Sequence, residues 1–478
     1  MHQKAHDVQE TKYRYRALEQ RGNIRLLHLL PHRDQTGPLA CRLLEYPLSS
    51  TPGESPGSSQ RSHLYEALSY TWGDSNSNRC ISVDSCRMSV TDNLYEALLA
   101  LRDRQLSRVL WVDAICIDQG NDVEKQEQIG FMADIYSMAS RVVVWLGTGE
   151  GGGEVALDAI SDMAVCKVAG APFNGEVSTE AMLGLLQRPW FNRIWVLQEV
   201  AAARAILVVC GSSSIDGYAF SLVLHSDLFR STFAIPPELQ NQLRPVTYTM
   251  GRAICRPRKT TGIASHDKSS LGELVDMYHT RQATLLHDKV FALLGMSLSN
   301  PSNEIPLDYS AGWDVVFKKL MRLLFGRSVS VETQSGSQVA GIQGLGRVLG
   351  KICRVELDGQ NGQQKVSVIW LKESTTEDFA PGANWILPPS ANSVREGDIV
   401  CIMKGASKPT IIRFRHGLFS VIVSTVSCYA SEQTREFPHF FSLLDWRPTA
   451  SSPCCTGRQI DGRKQQSFSG SKYKNAEG

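Results

Sequence analysis

The sequence predicts an α/β fold in which a mostly parallel sheet with flanking helices is followed by a helical region and a β-rich C-terminal part. Apolar runs such as Val142–Leu146 alternate with segments of helical period between residues 64 and 210. Alternating strands and helices form parallel sheets with right-handed crossovers. Beyond residue 331, short apolar runs are separated by Gly, Pro and Ser. This second pattern is typical of strands joined by turns.

The N-terminal part precedes this alternation. Residues 24–31 and 39–48 are predicted strands, and the Ser-, Pro- and Gly-rich stretch Ser49–Ser62 predicts a mobile surface loop. The patterns divide the chain into five parts: a lead-in and loop at 1–61, the α/β module at 62–212, a mostly helical region at 213–330, a β-rich region at 331–446, and a disordered tail at 447–478.

Local signals within the module predict where its elements begin and end. Asp92 is the predicted N-cap of a helix whose leucines and alanines repeat at helical spacing. Asn121 and Glu124 form a capping-box pattern before a helix that runs to about Ala139. The run Val109–Ile117 is apolar except for Asp113, which predicts a strand covered on both faces.

Composition excludes several classes of protein. The 478 residues carry a formal net charge of +2, which argues against a general nucleic-acid binder. The 12 cysteines are scattered and none form a C-x-x-C pair, so we expect a reduced cytoplasmic protein and no metal site. The polar N-terminus does not resemble a secretory signal, and no apolar run reaches the ~18–20 residues of a membrane span.

Three motif blocks stand out in the module. They read ALSYTWG at residues 67–73, LWVDAICIDQ at 110–119 and RPWFNRIWVLQE at 188–199. Blocks of this kind, in this order, resemble the fungal heterokaryon incompatibility (HET) domain. Residues 281–296, 305–310 and 397–413 resemble the later segments of long family members, whereas the last ~50 residues depart from the family pattern.

The resemblance implies a signalling regulator of fungal non-self recognition and programmed cell death. It implies contacts with other incompatibility or signalling proteins and self-association through the HET domain, and no cofactor is required. Some relatives lie beside secondary-metabolite gene clusters, so an accessory role without catalysis is an alternative.

The module also resembles the TIR domain more distantly. Trp195 and Glu199 match the W-C-x-x-E pattern of that family, with Val196 in place of the Cys. In TIR enzymes the glutamate helps to cleave the nicotinamide–ribose bond of NAD, so the resemblance makes NAD a candidate substrate and Glu199 a candidate catalytic residue. Such a carboxylate would stabilise an oxocarbenium-like centre. The residues expected to line the same cleft are Ser69, Tyr70, Trp72, Asp74 and Asp118.

Structural roles are alternatives for these acidic residues. An ion pair with Arg188, Arg193 or Arg204 would equally explain Glu199. Asp113 lies within an apolar run, where a charge is costly unless it is paired, and Arg108 or Arg193 is its expected partner. Asp118 and Gln119 follow the predicted strand and are therefore better candidates for a binding site.

Three further patterns favour ordinary structural roles. Residues 147–152 fit G-x-G-x-x-G after a strand, but no second strand ends in an acidic residue at the required spacing, which favours a flexible loop. His287 and Asp288 are not accompanied by a G-x-S-x-G motif, so we expect a surface or capping pair. The basic stretch Arg252–Lys259 is expected to be a solvated loop.

Overall fold

The computed structural model describes residues 11–34, 36–48, 64–73, 78–252, 270–297, 304–333, 340–357, 364–371, 384–387, 393–415, 417–426 and 439–444. The predicted loop Ser49–Ser62 and the predicted tail from residue 447 lie outside these residues. The described chain forms two sheets with helices around and between them. The predicted α/β class, helical middle and β-rich C-terminal part are confirmed.

The first sheet has nine strands in the order β5-β4-β2-β1-β6-β3-β7-β8-β9. Its strands are β1 (Asn23–Leu29), β2 (Ala40–Pro47), β3 (Glu66–Ser69), β4 (Asn78–Val83), β5 (Cys86–Thr91), β6 (Arg108–Trp111), β7 (Arg141–Trp145), β8 (Ile206–Cys210) and β9 (Ser213–Asp216). The sheet is mixed, because the N-terminal strands and the hairpins at both edges add antiparallel pairs to a parallel centre.

The parallel centre has the strand order β6-β3-β7-β8. Its first strand in the chain, β3, lies inside; the chain then adds β6 on one side and crosses to add β7 and β8 on the other. The loops after β3 and β7 therefore leave in opposite directions, which makes a topological switch point at their carboxyl ends. In open α/β sheets, ligands bind at such a point.

Twelve helices accompany the sheets in the described part of the chain. They are α1 (Asp92–Leu101), α2 (Asp113–Cys116), α3 (Asp122–Met138), α4 (Gly153–Ala169), α5 (Thr179–Leu186), α6 (Trp195–Ala202), α7 (Gly217–Leu224), α8 (Asp227–Thr232), α9 (Pro237–Arg252), α10 (Leu271–Tyr278), α11 (Asp288–Leu294) and α12 (Trp313–Phe325), with 3-10 turns at Glu150–Gly152 and Pro189–Asn192. None of these helices is long and apolar enough to cross a membrane.

Two of the predicted boundaries are wrong, and one is confirmed. Asn121 caps α3 as predicted, since its side chain accepts from the Glu124 amide. The N-cap of α1 is Thr91, and Asp92 is the first helical residue. The predicted strand Val109–Ile117 ends at Trp111, because the chain then closes its hydrogen bonds locally in the short helix α2.

The second sheet contains the C-terminal strands. They are β10 (Ser330–Thr333), β11 (Ala340–Leu357), β12 (Gln364–Trp370), β13 (Asn384–Leu387), β14 (Ile399–Met403), β15 (Thr410–Arg415), β16 (Leu418–Val423) and β17 (His439–Leu444). The 18-residue strand β11 pairs with both β14 and β17, so the pairings from β11 through β14, β15, β16 and β17 return to β11. This ring packs its own small core around Val400 and Ile411.

The two sheets share buried contacts through the helical region. The main core extends from β1 through α12 to Cys401 and Met403 of the second sheet. The buried carboxylate of Asp276 in α10 accepts hydrogen bonds from the Ser424 amide (2.7 Å), the Ser424 hydroxyl (2.9 Å) and the Thr425 amide (3.3 Å). These hydrogen bonds tie the C-terminal sheet to α10, which ends shortly before Arg281 and Gln282 in the chain.

Candidate functional site

A buried hydrogen-bonded cluster lies at the switch point. Ser69 is the last residue of β3, and its hydroxyl donates to the carboxylate of Glu199 in α6. The indole Nε1–H of Trp190 donates to the same hydroxyl at 2.8 Å. Glu199 is only 3% exposed, so its carboxylate is closed off in this conformation. The first and third motif blocks therefore meet through direct side-chain contacts.

Helix α6 is held in place from its opposite side by Gln198. With its amide oriented to satisfy both groups, Gln198 donates to the Ala292 carbonyl of α11 (3.0 Å) and accepts from the Ala133 amide of α3 (2.9 Å). Gln198 and Glu199 thus point to different neighbours, and together they fix the rotation of α6 about its axis.

The segment before α6 is secured by residues almost a hundred positions later in the chain. Ile194 donates its amide to the Gln282 carbonyl (2.9 Å), and Gln282 donates its amide to the Asn192 carbonyl (2.8 Å). The buried guanidinium of Arg281 donates to the carbonyls of Phe191 and Gln242. Sequence reasoning assigned no role in the site to Arg281 or Gln282. The only signal was that they begin the family-like stretch 281–296.

The environment of Glu199 favours the protonated acid. Burial raises the pKa of Glu199 to about 7, against the opposing effects of the Arg193 charge and the Ser69 hydrogen bond, and Asp113 raises it slightly further. A carboxyl group with a pKa near neutrality is present in both protonation states at physiological pH. It can therefore give or accept a proton, or stabilise a developing positive charge.

Asp113 lies at the start of α2, directly beyond β6. Its Oδ2 accepts from the indole Nε1–H of Trp72 at 2.8 Å, and its Oδ1 accepts from the Ala114 amide at 2.7 Å. Burial raises the pKa of Asp113, while the charge of Arg193 works against that shift. The expected pairing with Arg108 is wrong, because Arg108 and Arg141 both bind Glu66 at the other end of the strands.

The structure brings some of the other predicted cleft residues to this site and not others. Tyr70 is buried next to Asp113, whereas Trp72 is 40% exposed. Asp74 lies outside the described residues. Asp118 follows α2 and not a strand, and its Oδ1 accepts from the Gly120 amide at 3.0 Å in a local turn. Its neighbour Gln119 donates to the Asp113 carbonyl at 3.0 Å instead.

The arginines expected to pair with Glu199 are engaged elsewhere. Arg188 donates to the carbonyls of Thr148 (3.2 Å) and Glu150 (2.7 Å), and Arg204 donates to the Ser137 carbonyl (2.7 Å). Arg193 donates to the Tyr70 carbonyl and affects Glu199 through its charge. Within the described parts of the chain, no ion pair of 4.0 Å or less includes Glu199. The expected ion pair between Glu199 and an arginine is therefore wrong, although the charge of Arg193 still lowers the pKa of Glu199.

The remaining sequence patterns have structural roles where they are described. The 147–152 segment makes a turn and a 3-10 turn before α4, with Gly147, Gly151 and Gly152 at positive φ. Of the surface or capping roles expected for His287 and Asp288, the surface position is wrong for Asp288, which is buried and accepts from the Tyr309 hydroxyl (2.8 Å). His287 is at the N-cap position of α11 without a side-chain capping bond. Residues 253–259 of the basic stretch lie outside the described residues. Among those that are described, no group of three His, Cys, Asp or Glu side chains could hold a metal ion.

Comparison with known proteins agrees with the motif blocks. The family "Heterokaryon incompatibility protein (HET)" matches residues 65–199, a range that ends at Glu199. Heterokaryon incompatibility protein 6, OR allele, of Neurospora crassa is 25% identical over 387 residues, which cover 68% of this chain and 55% of that protein. The chain therefore spans about half the length of this curated relative. No solved structure matches the chain significantly.

The family match runs from the start of β3 to Glu199 in α6, and it therefore includes Ser69, Trp190 and Glu199, the three side chains of the cluster. Residues 65–199 of the chain are a HET domain.

Proposed function

We propose that the chain is a heterokaryon incompatibility-type regulator of fungal non-self recognition, acting in the cytoplasm with the HET domain as its effector. Activation of this effector arrests growth or kills the cell. The observation that carries the proposal is the hydrogen-bonded contact between Ser69, Trp190 and Glu199. The similarity to the incompatibility protein of Neurospora crassa supports it.

The free-energy cost of burying the Glu199 carboxyl group argues that the cluster serves a function. A carboxyl group buried without a contact cation loses hydration that one hydroxyl donor does not replace. Glu199 is such a group, and it lies at the switch point of the sheet. Strongly shifted pKa values at a position of this kind are typical of functional residues.

The closed state of the cluster suggests how it is regulated. Glu199 is buried and shares the Ser69 hydroxyl with Trp190, which lies in the segment that Arg281 and Gln282 hold in place. An incompatibility or signalling partner, or a second HET domain, would activate the effector by separating this segment from β3. The exposed α6 could then make protein contacts without catalysis.

Conditional expression in a filamentous fungal host tests the effector role. The full chain is expected to arrest growth within a few generations of induction. Val143→Asp places a charge in the centre of the buried strand β7 and is expected to abolish the effect by unfolding the domain. Unchanged growth, with the wild-type chain verified as folded and abundant, would contradict the proposal.

A second candidate function is NAD hydrolysis by Glu199. The specific observation in its favour is a carboxyl group with a pKa of about 7 beside a serine hydroxyl at the switch point. In this reaction the bond from C1′ of the ribose to the nicotinamide nitrogen breaks, and its electron pair stays on that nitrogen. Water forms the new bond to C1′, and Glu199 stabilises the cationic centre and accepts the proton of the water.

Release of nicotinamide from NAD by the purified full chain at high concentration tests this second function. Wild type is expected to release it and Glu199→Gln to release none. Glu154→Gln is the matched control, since Glu154 lies in the same domain and its carboxylate binds the Ser212 amide and not Ser69. No release from wild type, together with retained growth arrest, would reject hydrolysis and leave an effector that acts by protein contacts.

A further inference from the structure

We propose that Trp72 and Asp113 form a binding subsite for a flat, positively charged ring, of which a pyridinium is the chemical type. The inference rests on the second proposed function for the identity of the natural ligand, because the nicotinamide ring of NAD carries a positive charge until its bond to ribose breaks. The contacts that define the subsite are independent of any reaction.

The first contact fixes an exposed aromatic face. Trp72 is 40% exposed, yet its indole Nε1–H donates to Asp113 Oδ2 at 2.8 Å. The hydrogen bond holds the indole in one orientation at the carboxyl end of β3. An indole face held in this way attracts flat rings by stacking, and cations through its quadrupole.

The second feature is a carboxylate without a contact cation. Among the described residues, no Lys, Arg or His forms an ion pair with Asp113 within 4.0 Å. Its oxygens accept from the Trp72 indole and the Ala114 amide, and the Tyr70 hydroxyl lies close to them. The nearby guanidinium of Arg193 is directed to the Tyr70 carbonyl. A cationic ring on Trp72 would supply the charge that Asp113 lacks.

The third feature is a buried hydroxyl that interacts with the same carboxyl group. Tyr70 is 2% exposed, and burial, followed by the negative charge of Asp113, raises its pKa. Its hydroxyl lies close to the Asp113 carboxyl, although no described residue meets it at regular hydrogen-bonding geometry. A polar substituent on the bound ring, such as a carboxamide oxygen, would offer this hydroxyl a second acceptor.

These features together explain selectivity for charge. Asp113 and Glu199 are two carboxyl groups whose charges repel each other, because Asp113 raises the pKa of Glu199. A cation on Trp72, beside Asp113, would offset that repulsion, whereas a neutral ring of the same shape would not. After cleavage the nicotinamide is neutral, so the same subsite would release the product.

Calorimetric titration of the full chain with two probes tests the subsite. The probes are the N-methylnicotinamide cation and neutral nicotinamide, which share the ring and the carboxamide. Wild type is expected to bind the cation about tenfold more tightly than the neutral ring. Asp113→Asn keeps the size and the acceptor for the Ala114 amide, and is expected to remove this preference. Trp72→Leu is expected to weaken the binding of both probes.

Asp162→Asn, on the exposed face of α4, is the matched control for the loss of one negative charge. Equal binding of the two probes to wild type, or an unchanged preference in Asp113→Asn, would overturn the proposal. If Asp113→Asn does not fold, the test rests on Trp72→Leu. Weaker binding of both probes would support the subsite, and unchanged binding would overturn it. Preferential cation binding by a chain that leaves NAD intact would reject hydrolysis but retain the subsite.

Discussion

The hydroxyl of Ser69 joins β3 to α6 by donating to the carboxylate of Glu199, while the same oxygen accepts from Trp190. One small side chain thus satisfies two buried polar groups that lie 121 and 130 residues further along the chain. This Ser69 bridge holds Glu199 in its buried position. The first two predictions concern the titration of Glu199 and the removal of the bridge.

Glu199 makes stability fall as pH rises. Its pKa is about 7 in the folded chain, compared with an ordinary value of 4.5. Between these values the folded state retains a proton that the unfolded state has lost, so unfolding becomes easier with increasing pH, and the effect is complete above pH 7. Each pKa unit corresponds to about 1.4 kcal/mol, so the total is about 3 kcal/mol. Denaturant unfolding at several pH values measures it.

Glu199→Gln is the matched variant for this prediction, because it removes the titration and keeps the shape. Asp276, whose pKa is also raised to about 7 by burial, falls in the same pH window but is present in both proteins, so its effect cancels in the difference. The stability of wild type relative to the variant should decrease between about pH 4.5 and 7. Parallel stability curves would show that Glu199 does not retain its proton.

Ser69→Ala removes the bridge. The Trp190 N–H and the Glu199 carboxyl then lose their shared partner in a buried position, and we expect a loss of about 1–3 kcal/mol in the free energy of unfolding. Since the Ser69 hydrogen bond lowers the pKa of Glu199, that pKa should rise in the variant. Carboxyl infrared spectra recorded against pH measure this shift. Trp190→Phe, which leaves the Ser69–Glu199 contact, should change the pKa less.

Asp276 should stabilise the docking of the C-terminal sheet. Its carboxylate accepts hydrogen bonds from the backbone and side chain of Ser424 and from the Thr425 amide, all of them buried. Asp276→Asn presents an N–H group to some of these donors, and we expect a loss of about 2 kcal/mol. Amide exchange of residues 410–426 should become faster. Asp314→Asn, which affects only the exposed pair with Lys318, should cost about 0.5 kcal/mol or less.

Arg281 should control the mobility of residues 190–194, the segment that leads into α6 and Glu199. Arg281→Met keeps the length of the side chain but leaves the carbonyls of Phe191 and Gln242 without their donor. We expect faster amide exchange at residues 190–194, with a smaller change in global stability because a costly buried cation is also removed. Arg204→Met, which alters an exposed arginine on the Ser137 carbonyl, is the control. Equal exchange rates in the two variants would contradict this role.

The parts of the fold that the sequence predicts correctly depend on local patterns. The β-branched run of β7 and the capping residue Asn121 act within a few residues of themselves. The pairing of strands that are distant in the sequence leaves no such local pattern. The antiparallel strands β1 and β2 extend the same sheet, and Val109–Ile117 ends as a strand at Trp111 because α2 offers local hydrogen bonds.

The candidate site shows the same division. The motif blocks point to Ser69 and Glu199, but they do not predict which arginine approaches the carboxylate. Arg188 binds the Thr148 carbonyl and Arg204 binds the Ser137 carbonyl of α3, and these partners are brought near only in the folded chain. The support given by Arg281 comes from 90 residues beyond Phe191, which no spacing rule anticipates.

The most direct measurement is the growth of a fungal host that expresses Glu199→Gln in place of wild type, with both chains matched for amount and for folded state. Glutamine retains an acceptor for Ser69 but neither ionises nor transfers a proton. If the effector acts through the Glu199 carboxyl, wild type arrests growth and the variant does not. Growth arrest of equal strength from the variant would contradict the central role assigned to the Glu199 carboxyl and leave an effector that acts by protein contacts alone.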